Sequence, residues 1–106
     1  MPIDLSQLAH PDHTALLLQE CQEGVIGKKA VLPDLARSAE RELLPNVDRL
    51  AAAARKAGIR VFHCLAVPRA DGFGQHRNAP LFLATRRSEN ALVEGTPVSR
   101  SQRVSR

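Results

Sequence analysis

The sequence predicts an α/β fold with parallel strands, and three observations carry that prediction. Two short apolar runs, residues 14–19 and 59–67, end in polar or turn-forming residues; between them apolar positions recur at helical spacing; and Gly58 falls where that helix must stop. Strand, helix and strand in this order make a βαβ unit. Its crossover is right-handed, so the two strands run parallel and their carboxyl ends share one rim. A chain of 106 residues, 43% hydrophobic and 25% charged, has room for one domain and not two. The only aromatic residues are three Phe, so Leu, Val and Ala must fill a thin core.

Residues 1–13 carry Pro2, Pro11 and Asp12 and are expected to form a poorly ordered, extended N-terminal arm ending in a turn. The first strand, Thr14 to Gln19, is apolar without alternation, which suits a strand covered on both faces. Gly24 and Gly27 flank a loop that Lys28 and Lys29 keep in water. Leu32, Leu35, Ala36, Ala39 and Leu43 trace a helical face with Pro33 in the first turn, and Pro45 predicts a kink or restart near Leu44. Val47, Leu50, Ala51, Ala54 and Ala57 continue it as the clearest amphipathic helix of the chain. Arg55 and Lys56 sit where positive charge favours a helix end, and Gly58 reads as the C-cap glycine.

The second strand follows from Ile59 to Val67, stopped by Pro68. Residues 68–78 form a glycine-containing polar loop on the shared rim, of a length more typical of a binding loop than of a spacer. Asn78 is placed to cap a short helix reaching about Arg87, with Pro80 in its first turn. After Glu89 the pattern fades, and residues 98–106 read as a disordered basic tail.

In open α/β sheets ligands bind outside the carboxyl ends of the strands, which singles out Glu20 and Cys21. Glu20 can serve as a general base if partial burial raises its pKa; the plainer alternative is an exposed loop carboxylate. Cys21 and Cys64, beside apolar runs, read as small buried fillers before they read as nucleophiles. His63 can pair with either thiol or hold a structural hydrogen bond. Adjacent strand residues face opposite ways, so Glu20 and Cys21 do not naturally share a site. Asp71 and His76 are two potential ligands at irregular spacing, too few for a metal site, and no glycine-rich phosphate fingerprint follows Gly72-Phe73-Gly74. No metal and no cofactor is expected.

The formal net charge of +4 is mostly local, with Arg100, Arg103 and Arg106 near the end and no aromatic residue there to stack on bases. Specific nucleic-acid binding is therefore not expected. No run approaches the roughly 20 apolar residues of a membrane helix, and the N-terminus lacks the basic-then-apolar pattern of a secretory leader. With two cysteines outside any Cys-x-x-Cys pattern, a soluble protein of a reducing cytoplasm is expected.

Taken together, these pieces resemble the N-terminal half of the isochorismatase-like cysteine hydrolases, the superfamily of nicotinamidases, isochorismatases and N-carbamoyl amide hydrolases. Ala15-Leu16-Leu17-Leu18-Gln19-Glu20-Cys21-Gln22 is similar to the family's opening strand, which ends in an aspartate, one residue and Gln; Glu20 holds the acid's position. Leu44 to Leu50 and Ala57 to His63 resemble its first long helix and second strand, and Glu94-Gly95-Thr96 the Gly-Thr before its next core segment. The resemblance covers residues 14–97 as a partial domain. It implies a Rossmann-like three-layer parallel sheet, here truncated to its first βαβ unit plus a short helix. It also implies an amidohydrolase-type chemistry in which a Cys attacks a small amide or related substrate, an Asp takes its proton and a Lys completes the site.

Glu20 is one methylene longer than the family's Asp. Neither Cys21 nor Cys64 matches the nucleophile, whose segment and that of the Lys belong beyond the matching region, and Asp71 and His76 do not reproduce the Asp-x-His of metal-binding nicotinamidases. The chain is therefore expected to be inactive alone, with residues 99–106 a premature or frame-shifted ending, a point that the downstream genomic sequence tests. Two strands with unpaired edges are not expected to fold stably by themselves. The competing expectation is a non-catalytic homo-oligomerisation or interaction module derived from the same fold.

Overall fold

The computed structural model describes residues 1–88 and 91–101. In chain order they form α1 (Leu5–Leu8), a 3-10 turn at Pro11–His13, β1 (Ala15–Gln19), α2 (Glu23–Ile26), α3 (Pro33–Lys56), β2 (Arg60–Cys64), α4 (Pro80–Arg87) and a second 3-10 turn at Pro97–Ser99. β1 and β2 pair in parallel with Leu16 opposite Val61 and Leu18 opposite His63, so the βαβ unit is present as read. It is a small α/β unit of the Rossmann-like kind, with both strands in one sheet.

α3 runs unbroken through Pro45, contrary to the expected kink or restart near Leu44. Proline removes one N–H and leaves the carbonyl of Arg41 without its helical partner, but both residues lie on the exposed side, where solvent can reach that carbonyl. The helix ends as the sequence indicates. Gly58 has φ +76°, its N–H donates to Arg55 O (3.1 Å), and the Ile59 N–H donates to Ala54 O (2.8 Å), the paired bonds of a Schellman cap.

The inner face of α3 carries Ala36, Val47, Ala51 and Ala54. Val47 and Ala51 cluster with Leu18, Cys21 and Ile26, and Leu16, Val25, Ala39, Leu44 and Val61 pack around them. Leu35 and Leu50, expected on this face, are more than half exposed because Ala and Val alone already set the close distance between helix and sheet. The opposite face of the sheet is bare: Leu17 and Phe62, paired neighbours, are 61% and 48% exposed. The expectation that the first strand is covered on both faces is thus not met among the described residues.

The arm of residues 1–13 is exposed throughout but not simply extended, since Asp4 caps α1 by accepting from the Ser6 N–H (3.0 Å) and hydroxyl (2.6 Å). β2 stops at Cys64 rather than Val67, because β1 turns out of the sheet at Glu20 and leaves no partner beyond that point. α4 matches the expected helix, although Ala79 and not Asn78 holds the cap position. The expected disordered tail differs most. Val98 and Ser99 are buried, Ser101 forms an antiparallel bridge with Gln22, and Glu23 N–H donates to Arg100 O (3.0 Å). The apolar side chain of Val98 and the edge of the α2 turn give this segment a place to bind that its Ser- and Arg-rich composition does not advertise. Residues 102–106 of the expected tail, and Glu89, lie outside the described residues.

Candidate active site at the carboxyl rim of the strands

Parallel pairing brings the carboxyl ends of β1 and β2 to one rim, and Glu20 is the residue at which β1 leaves it. Glu20 N–H donates to Cys64 O (2.7 Å), the last bond of the ladder. Its own backbone then turns left-handed, φ +54°, the only positive φ outside glycine among the described residues. An L-residue held there costs about 1–2 kcal/mol, a cost that a glycine would avoid. The turn is held by Gln22 N–H donating back to Glu20 O (2.9 Å), and Glu20 Oε1 accepts from Gln19 Nε2 (3.2 Å).

The half-buried Glu20 lines an open cavity of about 620 Å³. Val67 from the chain after β2, Phe73 and His76 from the rim loop, and Leu81 and Phe82 from α4 supply much of the rest of its wall. A carboxylate at the margin of an apolar hollow can take a proton from a group bound there and return it to a leaving group.

The other candidates are placed differently. Cys21 is buried in the core cluster with its thiol 3.7 Å from Gln19 O, and burial pushes that thiol's pKa up from 9.0, away from the reactive thiolate. It is a structural thiol, as its position beside an apolar run suggests. Cys64 is half-buried, and neither thiol lines the cavity. His63 Nδ1 lies 2.8 Å from Ser101 Oγ, so its described partner is the C-terminal segment and not a thiol. Asp71 and His76 stay in one loop without converging on a common point: Asp71 holds Arg69 through Nε (3.0 Å) and Nη2 (2.6 Å), while His76 faces the cavity. The guanidinium keeps the Asp71 carboxyl below the usual carboxylate range. Among the described residues no three of His, Cys, Asp and Glu gather into a metal-binding group, and no helix is long and apolar enough to cross a membrane.

Gln22 carries more of the site than its polarity suggests. It is fully buried, its Oε1 accepts from Ala66 N–H (2.8 Å), and its Nε2 donates to Ala66 O (3.0 Å) and Ser99 O (3.3 Å). One amide thus pins the chain leaving β2, and the C-terminal segment, to the end of β1. The available signal was an amide three residues past the apolar run, a side chain with both donor and acceptor where two backbones must meet.

A family model described as the isochorismatase domain matches residues 14–102. The chain belongs to the isochorismatase family. Its isochorismatase domain has the hydrolase-like α/β fold, and the match extends past the expected boundary at 97 to include the C-terminal segment that Gln22 binds. No curated protein and no solved structure matches the chain.

Proposed function

We propose that this chain carries the carboxylate and substrate-rim part of an isochorismatase-type hydrolase site for a small amide or related molecule, with Glu20 as the general base. The observation that carries this reading is Glu20 at the left-handed exit of β1, lining the open apolar cavity walled by the rim loop and α4. In such chemistry a thiol gives its proton to the carboxylate, the thiolate attacks the amide carbon, and the amine leaves with the proton returned by the same carboxylic acid; water then hydrolyses the thioester. Cys21 is buried in the core and Cys64 does not line the cavity, so by this reading the chain binds the amide without turning it over. Both cysteines are unpaired, which supports a reducing, cytoplasmic setting.

Benzamide titrated into the ¹⁵N-labelled chain tests the reading. Shifts concentrated at Phe73, Gly74, Leu81 and Phe82 and weakened by Glu20→Ala, with no ammonia released, are expected. Shifts that miss the rim sink the site assignment, and Glu20-dependent ammonia release sinks the claim that the chain is inactive.

A second reading, a homo-oligomerising module, draws on the sheet face on which Leu17 and Phe62 lie exposed, beside two strand edges that no other strand of the described residues pairs. Molar mass measured by light scattering at two concentrations separates them: a monomer at both removes the physical basis of the module, and association abolished by Phe62→Ser supports it.

A further inference from the structure

We infer that the ion pair between Arg69 and Asp71 makes the rim cavity accept uncharged ligands and reject carboxylates, an inference that rests on the cavity being the substrate site. The ionisable side chains in the cavity wall are Glu20, Arg69 and His76. An arginine at the mouth of an apolar pocket would ordinarily bind a carboxylate through its paired N–H groups. Here one face of that fork, Nε and Nη2, is already occupied. Arg69 Nε meets Asp71 Oδ1 at 3.0 Å and Nη2 meets Oδ2 at 2.6 Å, while the guanidinium carbon stands 5.7 Å from the centroid of the Phe73 ring.

The loop holds the pair in place from several sides. Asp71 Oδ1 also accepts from Phe73 N–H (3.0 Å), and Gly72 N–H donates to Arg69 O (3.0 Å), so Asp71 sits inside a closed turn. Gly72 is buried with φ +69°, and the Arg86 guanidinium from α4 covers it: a Cβ there would fall 2.8 Å from Arg86 Nη2 and 3.0 Å from its Cζ. Arg86 itself lines the neighbouring hollow of about 170 Å³ and not the cavity of Glu20. Arg69 is paired within its own loop, and Glu20 stands in the same wall beside His76. A carboxylate ligand meets Glu20 where the paired face of Arg69 is already taken, whereas a neutral amide finds the apolar wall of Val67, Phe73, Leu81 and Phe82 and a side chain able to accept its N–H.

Benzamide and benzoate share a ring and differ in charge, so their affinities for the 106-residue chain, read from amide shifts at the rim, test the inference. Benzamide is expected to bind about two- to fivefold more tightly. Asp71→Asn keeps the acceptor for Phe73 N–H but releases the guanidinium, and is expected to close that gap by strengthening benzoate about two- to fivefold. Arg69→Gln, which leaves Asp71 uncompensated, is expected to weaken benzoate relative to benzamide and so widen the ratio further. Equal wild-type affinities with rim shifts present, or an unmoved ratio in both variants, overturn the charge filter while leaving the site in place. Rim shifts from neither ligand overturn the site assignment and the filter with it.

Discussion

Replacing Gln22 with Ala removes three hydrogen bonds at once. Ala66 N–H, Ala66 O and Ser99 O lose their described side-chain partner, and the Gln22 side chain is fully buried while Ala66 is half-buried. Leaving a buried polar group unmade costs about 1–3 kcal/mol; the lower figure applies to the two groups of half-buried Ala66 and the full range to buried Ser99, so the loss is about 3–5 kcal/mol. In a domain of this size that lowers Tm by more than about 10 °C. Urea unfolding followed by far-UV circular dichroism gives the free-energy change, and hydrogen exchange at the Ala66 amide reports the bond itself. Gln22→Glu keeps an acceptor for Ala66 N–H but sets a carboxylate oxygen against two carbonyls, so it is not expected to rescue stability. Unchanged protection at Ala66, or a loss below about 0.5 kcal/mol, would refute the role given to this amide.

Glu20→Gly relieves the left-handed backbone and is expected to gain about 1 kcal/mol in urea unfolding while losing benzamide binding, a trade that a strain-free Glu20 would not show. Gly24→Ala puts a methyl into the path of Leu92 Cδ2 and 2.9 Å from Val98 O, so it is expected to cost about 1–3 kcal/mol and to free the Glu23 amide, bonded to Arg100 O, for faster exchange. Cys64 is expected to react with iodoacetamide well before Cys21, because burial holds the Cys21 thiol in its neutral form. The sign for stability follows: the raised folded-state pKa of Cys21 contributes fully below pH 9.0 and is lost as pH rises through the folded value, so Cys21→Ala is expected to flatten the alkaline limb of the stability profile.

The βαβ unit was legible because each part of it has a local cause: apolar runs too short for helices, a face at helical spacing, and a glycine cap whose Schellman bonds are both present. The burial of Cys21 followed from the same apolar neighbourhood. What the chain order concealed was tertiary. Pro45 announces a break, yet its exposed position lets solvent reach the freed carbonyl, and exposure is set by the sheet on the far side of the helix. The C-terminal segment looks like a solvated tail because its own residues are Ser and Arg, and only Gln22 and Val98 together give it a fixed place. Glu20 was marked by its place at the strand end and by the resemblance of that segment to the family's; its left-handed backbone depends on Gln22 and Cys64 closing around it.

Gln22 also imposes an order of events on the growing chain. Its bonds to Ala66 close a separation of 44 residues, and its bond to Ser99 one of 77. The extra length is less than a doubling and costs under about 0.6 kcal/mol in closure entropy, so thermodynamics barely distinguishes the two. Time does. On the ribosome the strands can meet once β2 has emerged, but the amide keeps one bond unmade until residue 99 is synthesised and has cleared the exit, so the C-terminal segment is the last part of this region to be fixed. A stalled or slowed ribosome near residue 95 would hold a nascent chain whose strands are paired while Gln22 still lacks its bond to Ser99.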